Sequence, residues 1–428
     1  MKKIKTLIVT CMVLCLMPAF SYDFKKDVTD GFDTYPLYYN ILSSDVFNGY
    51  TVEVTYDDTY TEDTEYTNVT IPDSVEHDGI YYHVTAIGGD AFLGQKALES
   101  ITIPKSVVSI TTCPFGAFDA CENLSYIYVN SDNPVYDSRN DCNAIIETAT
   151  NTLLVGSTTT IIPSTVTKIG NVAFMDRAKG CFTIPDNVSE IGVEAFSGNE
   201  LLTSVQIGSG LEIVGAQAFT QCPALGTVSV SADNGHLMNL DGALVTKDTT
   251  RFIYVPAAQA GVYRIPEGVI NIADGAFESS QLSLITIPKS TKIIEGSASF
   301  NDCAADTIVC KPLTLPTDGY GNTANFWAHN TVLCVPYEAL SVYKTAYSSQ
   351  FSSIIGFSEV EDITEESAVL KWIHEPEVTQ YTIDIYQGST HVAKYTVNND
   401  GEVISSQRFV PSIFHQKMDT TSSSTDYF

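Results

Sequence analysis

Ile184-Pro185-Asp186-Asn187-Val188-Ser189-Glu190-Ile191-Gly192-Val193-Glu194-Ala195-Phe196 carries the pattern that decides the fold. It reads I-P-x-x-V-x-x-I-G-x-x-A-F, and further copies begin at Ile103-Pro104, Ile162-Pro163, Ile265-Pro266 and Ile287-Pro288. The Ala-Phe landmark falls at Phe92, Phe118, Phe174, Phe196, Phe219 and Phe277, with Ser299-Phe300 a degenerate copy. Successive landmarks are 26, 56, 22, 23, 58 and 23 residues apart. The short gaps predict a coil of about 22–24 residues, interrupted twice by an island of about 33.

Each part of the phrase has a physical task. Leading segments such as Ser204-Val205-Gln206-Ile207 and Leu284-Ile285-Thr286-Ile287 alternate inward apolar residues with mostly polar ones, as a half-buried strand does. Proline after the strand removes a ladder donor and ends the pairing. V-x-x-I-G is a second, shorter extended piece. Its glycine (Gly88, Gly170, Gly192, Gly215) is expected to supply a positive φ where the chain turns a corner. The alanine of the landmark permits close approach and the phenylalanine fills the interior. One coil cannot close a core, so stability requires stacking into a continuous hydrophobic column.

Three residues after the landmark stand Cys121, Cys222 and Cys303, and in another coil Asn199. Both residue types are small and can hydrogen-bond backbone in a bend. That favours buried ladder positions over disulfide or metal pairing across coils. Cys113, Cys142, Cys181, Cys310 and Cys334 show no ligand spacing and cannot be paired from sequence. Asp241-Gly242 in the second island and Asp78-Gly79 ahead of Tyr81-Tyr82-His83-Val84 are placed for hairpin turns.

The phrase resembles the leucine-rich repeat of the Treponema pallidum type found in BspA-like surface proteins, over roughly residues 70 to 350. The likeness extends to the first island, from Asn133-Pro134-Val135-Tyr136 through Leu153-Leu154-Val155-Gly156-Ser157. The second island, from Ala232-Asp233-Asn234 to Ile265-Pro266, is a looser copy. The resemblance implies a right-handed solenoid and, commonly, a surface-binding or adhesive role.

The ends of the chain read differently. Lys2, Lys3 and Lys5 precede an apolar run, Leu7 to Met17, and Ala19-Phe20-Ser21 offers small residues for cleavage, so 1–21 reads as a secretory signal peptide. Cys15 follows Leu14 rather than a small residue, which argues against lipidation. Residues 22–70, with Tyr38–Leu42 and Tyr50–Tyr56, are expected to form a β-cap, and 71–356 the solenoid, closed by a helix over Tyr337 to Tyr347. Residues 357–428 resemble the first strands of a fibronectin type III module, with Trp372 as its core residue. The expected fold is thus a β-rich leucine-rich-repeat solenoid followed by a partial β-sandwich.

Charge and motif content narrow the function. Against 22 Lys and Arg stand 51 Asp and Glu, a formal −29, which argues against nucleic acid and against anionic lipid as partners. No run reaches membrane-spanning length. The seven histidines lack zinc-ligand spacing, and neither a G-x-S-x-G elbow nor a phosphate-binding loop is present. Asp57-Asp58 with Glu62-Asp63 and Glu65 lacks the order of a calcium loop and reads as a solvated acidic hairpin. No catalytic, cofactor or metal residue is nominated, and the chain is read as a non-enzyme. What remains is the outward strand face, with Thr102, Tyr126, Tyr128, Thr183, Gln206, Ser229 and Thr286 in small, nearly uncharged columns, and Tyr126 and Tyr128 as candidate anchors. Good strand formers on an exposed sheet give the same composition without binding anything. The expected role is a secreted or cell-surface bacterial protein that binds a host or matrix protein. A structural spacer of the envelope and a glycan-binding accessory protein are the alternatives.

Overall fold

A computed structural model describes residues 22–29, 34–47, 49–56, 66–112, 116–297, 299–328 and 330–357, together with strands at 360–361, 369–370, 380–387, 390–398 and 403–408. The leader, the acidic stretch 57–65, Cys113, His329 and Trp372 lie outside the described residues. The chain divides into two compact units, one reaching to Leu124 and including Tyr128–Pro134, the other comprising Ser125–Ile127 and Val135 onward.

In the first unit a sheet runs in the order Phe24–Thr29, Thr34–Asp45, Gly49–Thr55, Ile80–Ile87, Ser74–His77, with Ser109–Ile110 also pairing Ile80–Ile87. The first three strands are antiparallel neighbours, and Gly49–Thr55 then joins Ile80–Ile87 in parallel. Asp78 and Gly79 form the expected tight turn, with φ of 52° and 79°. A positive φ at both central residues matches the right-handed twist of the flanking strands. A second sheet holds Asn68–Thr70, Ser100–Ile103 and Tyr126–Val129. Inside the coils, Phe92 and Phe118 stack at 5.4 Å and 5°.

In the second unit the leading strands Gly180–Ile184, Leu202–Ile207 and Thr227–Val230 pair in parallel, one per coil. The V-x-x-I segments form two-residue strands, Lys168–Ile169, Glu190–Ile191 and Ile213–Val214, also parallel. The first island is a meander of Tyr136–Asp137, Ala144–Glu147 and Thr152–Gly156, whose last strand takes the place of a V-x-x-I strand by pairing Lys168–Ile169. The second island repeats this device with Leu237–Leu240, Ala243–Thr246 and Arg251–Tyr254, which pairs Asn271–Ile272. Its turn is Asp241-Gly242, with φ of 51° and 92°. An island therefore widens the sheet that follows it, while the ladders of the preceding coils end at Ile213–Val214 and Thr227–Val230. The copy at Ile162-Pro163 departs from the expectation, because no leading strand forms before it and Ile161 is exposed.

The landmark phenylalanines form ladders of near-parallel rings. Phe174, Phe196 and Phe219 follow one another at 5.1 and 5.5 Å, and Phe252, Phe277, Phe300 and Phe326 at 4.9, 5.1 and 5.3 Å. Stacked aromatic pairs at this spacing contribute about 0.5–1.5 kcal/mol beyond area burial. The second ladder ends on Tyr347 and Phe351, which meet Phe326 edge-on. Tyr347 belongs to the helix Leu340–Tyr347, whose buried Leu340, Tyr343 and Tyr347 share one face at helical spacing. Beyond Phe357, strands Gln380–Gln387, Thr390–Asn398 and Val403–Arg408 form an antiparallel sheet.

The repeat glycines have a different cause from the expected one. Gly88, Gly170, Gly192 and Gly215 do not carry a positive φ. A Cβ on Gly215 would lie 2.4 Å from the Gly192 carbonyl carbon, and one on Gly192 would lie 2.5 Å from the Asn171 nitrogen. These glycines let successive coils touch backbone to backbone. The left-handed positions fall two residues before the landmark, at Asp90, Val172, Glu194 and Gln217, and two residues after it, at Ala120, Asp176, Gln221, Ser279 and Asp302. A pair of left-handed corners brackets the phenylalanine, and non-glycine residues supply most of them at a strain of about 1–2 kcal/mol each.

Candidate functional site

A stack of parallel coils turns its alternate strand residues outward, and register decides which of them share a column. Thr183, Gln206 and Ser229 stand opposite one another on three successive strands, all exposed. Thr183 Oγ1 donates to Gln206 Oε1 at 3.5 Å, and Ser229 Oγ to the Val205 carbonyl at 3.4 Å. Beside this column run Cys181, Ser204 and Thr227. Cys181 keeps the alternation with Thr183, the register shift lying just before it at Gly180, whose φ is 63°. The patch is uncharged, and its central strand, Leu202–Ile207, is fixed on both sides by a parallel neighbour.

Thr102 lies half-buried on Ser100–Ile103, opposite Thr70, and Ser100 Oγ donates to Asn68 Oδ1 at 2.6 Å. Tyr126 and Tyr128 alternate with buried Ile127 and Val129 on their strand and are 51% and 38% exposed. Their side chains are the large exposed aromatic groups of that sheet, as the alternation requires.

Thr286 occupies a different setting. It sits on a separate sheet of the second unit, in the order Ala260–Arg264, Gln281–Ile287, Thr307–Cys310, Val332–Pro336, Ser353–Phe357. Its register partners are Arg264 and Val309, and Val309 is followed by Cys334 and Ile355. The neighbouring column reads Val262, Leu284, Thr307, Val332 and Ser353. The expectation of small, nearly uncharged columns therefore fails on this sheet, which presents aliphatic side chains and an arginine. Residues 311–331 lack the landmark, so Val332, Cys334, Ser353 and Ile355 beyond them could not be assigned to columns by counting.

The buried polar positions explain how the coils are held in place for display. Asn199 Nδ2 donates to the carbonyls of Phe174 at 3.1 Å and Phe196 at 2.7 Å, while its Oδ1 accepts the Ala178 N–H at 2.6 Å. Cys121 Sγ donates to the Phe92 carbonyl and Cys222 Sγ to the Phe196 carbonyl, both at 3.1 Å. The small residue after the landmark thus satisfies the phenylalanine carbonyl of the preceding coil. Cys303 instead meets Ser280, the residue at the same place one coil earlier, at 3.2 Å. Burial pushes the Cys222 thiol up to about 12 and the Cys142 thiol up to about 11. None of the seven described cysteines is in a disulfide. A second brace went unnoticed in the sequence: Asn133, Asn187 and Asn234 each cap two carbonyls of the preceding coil. The Asp-Asn pair shared by all three positions is the signal that marks it.

Among the described residues no group of three or more His, Cys, Asp or Glu side chains is arranged to hold a metal ion. His77 stacks on Phe24 at 4.0 Å and serves packing. Glu278 is a buried, strongly perturbed carboxyl of the second unit. Burial raises it to about 7, with Asp274, Asp302 and Glu194 adding repulsion and a hydrogen bond from Asn301 opposing. It lies between coils and not on an outward face. No helix among the described residues is long and apolar enough to cross a membrane.

Stacked coils with parallel strands, a phenylalanine ladder and recurrent asparagine braces define a leucine-rich-repeat β-solenoid. The profile of the BspA type leucine-rich repeat region matches six copies, over residues 55–140, 154–239 and 261–315, which is more than half of the chain. The chain belongs to the BspA-type leucine-rich repeat family. No curated protein is similar to it. Among solved structures it is similar to a leucine rich cell surface protein of Faecalibacterium prausnitzii, at 20% identity over 79% of this chain and 96% of that one, with a TM-score of 0.39. It is also similar to the pneumococcal vaccine antigen PcpA, at 14% identity over 78% and 99%, TM-score 0.36. A third is a T. pallidum leucine rich repeat protein, at 17% identity over 65% and 90%, TM-score 0.25.

Proposed function

We propose that this protein is an exported, cell-surface module that binds a host or matrix protein through its outward strand faces, without catalysis. The observation that carries the reading is the Thr183–Gln206–Ser229 column: three exposed, uncharged side chains in register on strands that cannot shift independently. Such a surface is pre-organised, so a partner pays little ordering entropy on binding. Tyr126 and Tyr128 supply the large, amphipathic contact area that dominates binding energy in protein interfaces. Membership of the BspA-type family and the leader-like first residues support export and surface display. The segment after Phe357, with its fibronectin type III resemblance, is assigned a spacer or second-contact role.

The test is pull-down of the mature chain against purified host matrix proteins and a glycan panel side by side. Saturable capture of a protein target supports the reading. Thermal stabilisation by a glycan alone replaces it with a carbohydrate-binding role, and no saturable binding to either leaves a structural spacer.

A further inference from the structure

The larger sheet of the first unit ends in two neighbouring hairpin tips. Thr34–Asp45 turns into Gly49–Thr55 with Asp45 opposite Gly49, and Ser74–His77 turns into Ile80–Ile87 with His77 opposite Ile80. Gly49–Thr55 and Ile80–Ile87 are parallel neighbours, with Thr51 opposite His83. Both turns therefore lie at the same end of the sheet. That end carries Val46, Phe47, Ile80 and Tyr81, all exposed, with Phe47 at 97%, Val46 at 78% and Tyr81 at 71%.

The fold has no use for these side chains. The buried face of the sheet is made by Tyr39, Val52, Val54, Tyr82 and Val84. Each tip carries a local brace: the Phe47 N–H donates to Asp45 Oδ1 at 2.6 Å, and the Gly79 N–H to Glu76 Oε1 at 2.7 Å. Four large apolar side chains gathered at one end of a sheet mark a contact surface rather than scattered surface residues. Its chemistry is set by the flanks. Asp45 precedes one apolar pair and Asp78 stands just ahead of the other, while nearby Lys26 is engaged by Glu76 at 2.8 Å. Carboxylates at the tips disfavour an anionic lipid surface and a second copy bearing the same acids, and they favour Lys or Arg opposite.

We propose that the two tips form a contact site for a partner protein segment whose apolar side chains are flanked by Lys or Arg. The site extends the protein-binding reading to a second surface and is tested independently of the strand faces. The probe is a phage-displayed library of random twelve-residue peptides, panned on the full chain and counter-selected on the Phe47→Ser/Tyr81→Ser chain. A synthetic peptide from the enriched set is then titrated against wild type and three double variants. These are Phe47→Ser/Tyr81→Ser, Asp45→Asn/Asp78→Asn and Tyr126→Ala/Tyr128→Ala. Asparagine at 45 keeps the acceptor that closes the turn, and all six side chains are exposed, so the variants fold.

The expected peptides place Lys or Arg beside aromatic or aliphatic residues. Their affinity falls about tenfold or more on loss of Phe47 and Tyr81, falls several-fold on loss of the two charges, and is unchanged by loss of Tyr126 and Tyr128. Peptides without basic flanks, or equal affinity for the Phe47→Ser/Tyr81→Ser chain, overturn the proposal. So does wild-type binding to phosphatidylcholine vesicles that this variant loses, which assigns the tips to a membrane. Dimerisation in solution lost in the same variant assigns them to a second copy. If the tyrosine variant alone loses the peptide, the strand face is the protein-binding surface and the tips are not.

Discussion

Replacing Asn199 tests the bracing of the coils at a single side chain. Asn199 is buried and serves three backbone groups: the Phe174 carbonyl, the Phe196 carbonyl and the Ala178 N–H. Asn199→Ala leaves all three without that partner in a site too tight for easy hydration. The Phe174 carbonyl keeps the Arg177 N–H and the Phe196 carbonyl keeps Cys222 Sγ, so only the Ala178 N–H is left unpaired, at about 1–3 kcal/mol, and with the two weakened carbonyls a loss of about 2–4 kcal/mol is expected. Asn199→Cys sharpens the reasoning, because Cys222 at the same place in the next coil donates from Sγ to the preceding phenylalanine carbonyl. Cysteine restores the bond to the Phe174 carbonyl and fills part of the space but leaves the Ala178 N–H unserved, so its loss is expected to be smaller than that of alanine. Equilibrium urea unfolding with matched slopes measures both. An Asn199→Ala chain within about 0.5 kcal/mol of wild type refutes the bracing argument, and so does a cysteine variant less stable than the alanine one.

Three further expectations rest on other features. Gly215→Ala places a Cβ 2.4 Å from the Gly192 carbonyl carbon and should destabilise by about 1–3 kcal/mol, whereas Gly226→Ala, with its nearest neighbour 3.9 Å away, should be close to neutral in thermal melts. Glu278, held near 7 by burial against an ordinary 4.5, keeps its proton in the folded chain where the unfolded chain releases it. Stability from this group is therefore full below about 4.5 and lost as the pH rises through about 7, and a Glu278→Gln chain should show a flatter melting temperature across that window. Cys181, exposed on its strand, should react with a maleimide in the native chain, while Cys222 and Cys310, buried with thiols pushed up to about 12, should react only on unfolding, as mass spectrometry of labelled peptides would report.

The repeat architecture was legible because its two signals are local: period-two alternation in the leading strands and the recurring landmark phenylalanine. The turns at Asp78-Gly79 and Asp241-Gly242 were legible for the same reason, since two residues suffice to specify them. What escaped depends on which residues meet across coils. The repeat glycines looked like corner residues, yet the corners fall on Glu194 and Gln217, and the glycines are required by contact between backbones more than twenty residues apart. Phe252 and Phe326 join the ladder without any Ala-Phe phrase to announce them. Column membership is equally non-local: Thr183, Gln206 and Ser229 could be aligned by counting, because regular coils separate them. Arg264 falls beside Thr286 by the same counting, whereas Cys334 and Ile355 could not be placed in that column until the irregular stretch after Cys310 was seen in register. Phe47 lies ahead of the matched repeats and the tip bearing Tyr81 precedes the first Ala-Phe landmark, so no periodicity draws attention to them.

The central claim, that outward strand residues bind a protein partner, is tested most directly by titrating the matrix protein captured in the pull-down with wild-type chain and with Tyr126→Ala/Tyr128→Ala. Both chains must first show the same circular dichroism spectrum and unfolding midpoint. The account predicts saturable wild-type binding that weakens about tenfold or more in the double variant, the equivalent of at least about 1.4 kcal/mol. Equal affinity of the folded variant would contradict it.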